Sequence, residues 1–275
     1  MERSLPPMAG FEARTAGTTV RGDDAGEGIP VVLLHGLTAT RRYVVMGSRA
    51  LERGGHRVVA YDARGHGASD PAPVYDYPSL ARDLLAVLDD RGIDRAVLVG
   101  ASMGAHTIAR FAIDHLERVA AAAIVTPAFD PEDDSGTDYA RWDALARGLR
   151  TGGVDGFVAA YGDGGVPEAW QATVQRVIRQ RLAAHEHPEA VADALEQVPR
   201  SRPFESWEDL ATIRVPAVVV ASRDEADPGH PYATGERWAE AIAGAELISE
   251  QAGSSPLAWQ GGQLSRVVAE LAARA

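Results

Sequence analysis

The stretch that most limits what this chain can become runs from Arg95 to His106, Arg-Ala-Val-Leu-Val-Gly-Ala-Ser-Met-Gly-Ala-His. Ala96 to Val99 is a short apolar run of the kind that forms a buried strand. The run breaks at Gly100, and a helical pattern resumes by Ala105. Between them stands Gly100-Ala101-Ser102-Met103-Gly104, a match to G-x-S-x-G in the strand–turn–helix setting that this pattern needs. On so tight a turn there is no room for side chains two positions either side of the serine, which accounts for Gly100 and Gly104. The turn lifts the Ser102 hydroxyl above the sheet edge. It also places it at a helix N-terminus, whose free N–H groups favour developing negative charge. A chance match is the bland alternative in a chain with 28 glycines, and the flanking strand and helix argue against it.

At 275 residues the chain is one large domain or a core with an insertion. A net charge of −12 and a pI near 5.1 argue against nucleic-acid and anionic-membrane partners. Cysteine is absent, which removes disulfides, thiolate metal sites and cysteine nucleophiles. All 27 basic residues are arginine, so lysine Schiff-base chemistry and a P-loop lysine are excluded as well. The lack of lysine and asparagine suggests a GC-rich bacterial genome. Met1 to Pro7 has no apolar signal core, and no apolar run reaches membrane-spanning length, so the expectation is a cytoplasmic protein.

Along the chain, Phe11 to Gly28 suits an antiparallel edge hairpin. Strands are expected at Ile29–Leu34, His56–Tyr61, Val119–Val125, Val215–Ala221 and Glu246–Ser249. Helices are expected from Arg42 to Arg53, around Leu80 to Leu88, after Ser102, from Tyr232 to Ala243 and from Leu264 to Ala272. This alternation implies a mostly parallel sheet covered on both faces. Between about Pro127 and Ile213 the rhythm stops, and only helical spacings appear. That length exceeds an ordinary connection and reads as a helical insertion, residues 127–213, between two parts of a core at 1–126 and 214–275.

Four motifs then resemble, in order, an α/β-hydrolase of the lidded type that includes esterases, enol-lactonases and cofactor-free haloperoxidases. They are Val31-Val32-Leu33-Leu34-His35-Gly36, Tyr61-Asp62-Ala63-Arg64-Gly65-His66-Gly67-Ala68-Ser69, Gly100 to Gly104, and Val215-Pro216-Ala217-Val218-Val219-Val220. The resemblance implies an α/β-hydrolase fold with the insertion as a helical lid, no cofactor and no metal. Ser102 matches the nucleophile, and the N–H groups of Leu37 and Met103 match the oxyanion donors. His35 and Gly36, with Ser254 and Trp259, are expected to line the pocket, His35 fixing its own loop. Arg64 and His66 stabilise theirs. The family's acid is an aspartate followed four residues later by proline. Asp224 and Asp227 both satisfy this, with Asp224 preferred for its distance from the strand.

The departure from the family lies before the last helix. The histidine expected there, after Gly253, is replaced by Ser254, and no histidine follows His230 in the chain. Serine is no general base near neutral pH. Three readings remain open: a relocated histidine, with His230 ahead of His106; slower or non-hydrolytic (lyase- or isomerase-like) chemistry in the same pocket; or a shell that binds a small molecule or partner. The first two make an enzyme acting on a small carbonyl or ester-type substrate. Other signals are weaker. His185-Glu186-His187 lacks a third metal ligand, Trp142 and Trp170 read as packing residues, and Arg41 and Arg42 lie beside the oxyanion loop, where they could meet a substrate carboxylate. Substrate identity and oligomeric state are not encoded legibly.

Overall fold

A computed structural model of the protein describes residues 8–133, 139–251 and 254–275. Eight strands form one sheet: β1 (Ala9–Thr15), β2 (Thr18–Ala25), β3 (Ile29–Leu34), β4 (His56–Tyr61), β5 (Ala96–Ala101), β6 (Val119–Val125), β7 (Ala217–Val220) and β8 (Glu246–Ile248). Their order across the sheet is β1-β2-β4-β3-β5-β6-β7-β8. The β1–β2 hairpin pairs antiparallel with β4, and every later pairing is parallel. The helices are α1 (Ala50–Arg53), α2 (Tyr77–Asp90), α3 (Met103–Asp114), α4 (Tyr139–Tyr161), α5 (Glu168–Leu182), α6 (Pro188–Gln197), α7 (Trp207–Leu210), α8 (Tyr232–Ala241) and α9 (Gly261–Ala272).

Side chains alternate across a strand, so each central strand feeds two cores. Val32, Leu34, Val59, Leu98, Ile124 and Val219 pack on one face under α2, α3 and α8. Val31, Leu33, Val58, Val97, Val99, Val125 and Val218 pack on the other under α9 and Leu51 of α1. This two-sided burial is why the strands read as continuous apolar runs. α2 begins cleanly because the Asp76 side chain accepts from the Ser79 N–H at 2.8 Å. No helix among the described residues is long and apolar enough to cross a membrane.

The helix expected from Arg42 to Arg53 is broken. A single 3-10 turn covers Arg41–Tyr43, and α1 starts only at Ala50. Between them Met46 (φ 49°) and Gly47 (φ 71°) adopt left-handed backbone, and the Gly47 N–H returns to the Arg42 carbonyl at 2.9 Å. The reason is tertiary. α9 enters here so closely that a Cβ on Gly261 would sit 2.0 Å from the Val45 carbonyl oxygen.

Between β6 and β7 the described residues contain helices and no strand. α4 folds back on itself at Gly153 (φ 58°), bringing Gly148 against Gly156, where a Cβ on either would lie 2.5 Å or less from the other's carbonyl oxygen. Leu145, Leu149 and Phe157 of α4 join Leu182, Val191 and Leu195 in a separate apolar cluster, to which Leu37 of the core also packs. Ala190, Ala194 and Val198 pack with Ala63, Tyr75, Leu80 and Met103. The helical segment therefore rests on the loops that follow β3, β4 and β5. Those loops leave the carboxyl ends of the strands, where open parallel sheets place their ligand sites.

Candidate active site

Ser102 joins β5 to α3 at φ 50° and ψ −112°, a backbone setting that costs a non-glycine residue about 1–3 kcal/mol. Its N–H continues the sheet to the Val125 carbonyl at 2.9 Å, and its own carbonyl accepts the first helical bond, from His106, at 3.0 Å. Close packing holds the strain in place. A Cβ on Gly100 would fall 2.4 Å from the Gly104 carbonyl, and one on Gly104 would fall 2.2 Å from the Leu34 carbonyl oxygen. Both glycines are thus demanded by proximity and not by positive φ.

Met103 is the first residue of α3, where N–H groups have no partner within the helix. The β3 loop reaches the same place, because β3 and β5 are neighbours whose connections leave in opposite directions. A Cβ on Gly36 would sit 3.4 Å from both the Ala101 carbonyl and the Ser102 Cβ, so Leu37 follows a residue already against the serine. The His35 side chain braces this loop. Its Nε2 accepts from the Ala63 N–H at 2.9 Å, while its Nδ1 donates to the Gly36 carbonyl at 2.8 Å.

The histidine that meets Ser102 is His230. Its Nε2 lies 2.8 Å from the Ser102 Oγ, and its Nδ1 lies 2.7 Å from the Asp227 Oδ1. A carboxylate oxygen only accepts, so Nδ1 carries the proton and Nε2 presents a free lone pair to the serine hydroxyl. Burial opposes charge on Asp227, but the hydrogen bond from His230 and favourable electrostatics with His230 and the Arg181 guanidinium outweigh it and hold its pKa below the usual carboxylate value. Asp224, the aspartate preferred from sequence, does not meet the histidine. Its Oδ1 accepts from the Ala226 N–H at 3.0 Å and its carbonyl from the Asp227 N–H at 3.1 Å. Asp224 shapes the turn that carries Asp227 forward. The turn is the reason distance from the strand misled.

The other sequence candidates separate from the serine. His106 is buried along α3; its Nε2 accepts from the N–H groups of Ala128 (3.0 Å) and Phe129 (3.2 Å), leaving Nδ1–H for the Tyr77 hydroxyl at 2.8 Å. Ser254 is exposed, and its N–H bonds the Gln251 carbonyl at 2.9 Å. Among the described residues, nothing joins it to the Ser102 group; the preceding Gly253 lies outside the described residues. Arg41 is half-buried and engaged by Asp23 at 2.6 Å and by Asp62, whereas Arg42 is exposed. His185 ties the helical segment to the core, with Nδ1 accepting from the Gly67 N–H at 2.8 Å and Nε2 donating to the Thr38 carbonyl at 3.1 Å. His66 packs between His35 and His185, ring centroids 5.2 and 5.5 Å away.

One side chain near this group gave no signal in sequence. Arg181 of α5 places its guanidinium carbon 5.2 Å from the Tyr43 ring centroid and 4.9 Å from that of Trp259. Its position depends on folding the helical segment onto the core, which a local pattern does not report. Asp227 and His230, in contrast, stand three residues apart on one turn, the His230 N–H bonding the Asp227 carbonyl at 3.2 Å, a spacing that the preference for Asp224 passed over.

Burial lowers the pKa of His106 to about 3, with unfavourable electrostatics from the nearby His230 ring adding to it, and that of His35 to about 4, where His185, Arg41 and Arg181 add to burial against the bond to Gly36. Both stay neutral in the folded protein, while the unfolded chain takes up protons below about 6.5. The unfolded state thus binds more protons, so stability is full above that pH and falls as acid is added toward pH 4 and 3. The urea midpoint should drop steadily between pH 7 and 4.5, and His106→Gln should flatten the slope. A midpoint constant over that range would contradict the assignment.

A model of the α/β hydrolase fold matches residues 29–160. "Putative carbamate hydrolase RutD" of Variovorax paradoxus is 30% identical over 220 residues, covering 78% of this chain and 80% of that protein. Among solved structures, the enol-lactonase from Burkholderia xenovorans LB400 superposes with a TM-score of 0.69 at 25% identity, covering 95% of this chain and 96% of that one. A bromoperoxidase from Bacillus anthracis gives 0.78 at 20% identity, with 96% and 99% covered, a likeness of fold alone. With a mostly parallel eight-stranded sheet, a strained serine turn after β5 and a hydrolase-named relative matched over most of both lengths, the chain belongs to the α/β-hydrolase family.

Proposed function

We propose that this protein is a serine-type hydrolase of small ester-like acyl compounds, with Ser102 as nucleophile, His230 as general base and Asp227 as the acid that orients it. One observation carries the reading: the unbroken line from Ser102 Oγ through the His230 ring to the Asp227 carboxylate, at 2.8 and 2.7 Å. Ser102 Oγ attacks the substrate carbonyl carbon as His230 Nε2 takes its proton. The N–H groups of Met103 and Leu37 hold the oxyanion. Collapse of the tetrahedral centre expels the alcohol, which receives that proton from His230. Water then attacks the acyl-enzyme with His230 again as base, and Ser102 is released. The histidine missing before the last helix is on this reading supplied from the loop after β7. The helical segment from 127 to 213 serves as the lid, supported by the His185 bonds to Gly67 and Thr38.

Phenylmethylsulfonyl fluoride tests the assignment without knowledge of the substrate. The protein is expected to gain one sulfonyl group with loss of fluoride, and peptide mapping should place it on Ser102. His230→Ala should react at least about tenfold more slowly, since the serine proton then lacks an acceptor. Labelling elsewhere, or none, would overturn the proposal.

A further inference from the structure

We propose that Arg181 recognises a carboxylate on the substrate, so that the site takes acyl compounds whose far end is anionic. The substrate class rests on the serine-hydrolase reading above; the anion site does not. Other inward arginines here have carboxylate partners: Arg64 has Asp83 at 2.6 Å, Arg41 has Asp23 and Asp62, and Arg57 has Asp24 at 2.6 Å. Arg181 has none among the described residues. Its Nε is buried without a hydrogen-bond partner among the described residues, and the faces of Tyr43 and Trp259 approach its guanidinium. Aromatic faces recover part of the cost of removing a cation from water, but they leave the buried Nε–H of the half-buried Arg181 without an acceptor.

The position is as informative as the vacancy of partners. The Arg181 charge acts on Asp227, which holds the His230 ring at Ser102, and on His35, which braces the loop where Gly36 approaches the Ser102 Cβ. Burial lowers the pKa of Arg181 itself, with Asp227 and Tyr43 opposing. Asp227 is already committed to His230 at 2.7 Å, so it does not neutralise the guanidinium as a pair. A planar carboxylate fits the two-pronged edge of one guanidinium. A phosphate dianion would call for further cationic or N–H donors, and of the two arginines beside the oxyanion loop Arg41 is held by Asp23 and Asp62 and Arg42 is exposed. A purely mechanical role, a guanidinium wedged between two rings to fasten α5 to the core, would be indifferent to ligand charge.

That difference sets the experiment. The mono-p-nitrophenyl ester of adipic acid carries a free carboxylate, and p-nitrophenyl hexanoate is its neutral counterpart of equal chain length. The ratio of their kcat/KM values should fall about 30- to 100-fold in Arg181→Met, as expected for loss of a charge-assisted pair, and recover in part in Arg181→Lys, which keeps the charge. A ratio unchanged in Arg181→Met, with both esters slowed alike, would overturn the proposal in favour of the wedge. Calorimetry with adipate alone on Ser102→Ala protein separates this result from the hydrolase reading. Binding to Ser102→Ala that disappears in Ser102→Ala/Arg181→Met supports the anion site even if neither ester is cleaved. Absence of binding to Ser102→Ala, or binding that survives the second change, overturns it.

Discussion

Replacing His230 by alanine should lower kcat for a short activated ester by about 10²- to 10⁴-fold, the usual worth of a general base. The base acts as the proton moves, so kcat and kcat/KM should fall together with little change in KM. Asp227→Asn should also cost heavily, because an amide in place of the carboxylate can hold the imidazole in the wrong tautomer. Asp224→Asn is the control. Its Oδ1 only accepts from the Ala226 N–H at 3.0 Å, a bond an asparagine keeps, so the rate should stay within about threefold. Ser254→His should bring no gain, since Ser254 is exposed and the place beside Ser102 is already filled by His230 at 2.8 Å. Steady-state rates on p-nitrophenyl acetate decide the matter. Full activity in His230→Ala, or a large gain in Ser254→His, would sink the assignment of the base.

The second large effect is structural. Arg64 donates to both oxygens of Asp83 at 2.6 Å, and both side chains are almost wholly buried. Arg64 also donates to the Val74 carbonyl at 2.7 Å and the Ser79 carbonyl at 3.3 Å, fastening the loop after β4 to α2. Removing one member of such a pair strands a buried charge, so Asp83→Ala should destabilise the protein by about 3–5 kcal/mol. Arg64→Met/Asp83→Leu should recover more than half of that, because no charge is left behind, though two carbonyls lose a donor. Denaturant midpoints of the three proteins test this, and a cost below about 1 kcal/mol for Asp83→Ala would contradict it. The consequence reaches the site, since this loop carries Asp62, which holds Arg41, and Gly67, which holds His185.

The sequence alone determined the sheet and the serine turn, because both depend on neighbours in the chain. Apolar runs of strand length sort themselves onto two covered faces, and Gly100 and Gly104 are required by backbone contacts within one strand–turn–helix unit and the adjacent β3. The resemblance to the α/β-hydrolases also pointed to the loop that bears Asp224, Asp227 and His230. It could not choose between the aspartates, since that choice depends on how the Asp224 turn aims the residues after it. The break at Met46 and Gly47 was equally hidden, because the element that enforces it, the start of α9, lies more than 200 residues further on. Arg181 is the extreme case. Nothing in its own helix distinguishes it from Arg176 or Arg179, and only the docking of α5 against Tyr43 and Trp259 leaves it half-buried, its Nε without a partner among the described residues, while Arg179 finds Asp155. Periodicity reports which face of an element is apolar; which polar groups then meet across distant elements is settled by packing, where an unmatched charge is costly and its partner is fixed by geometry.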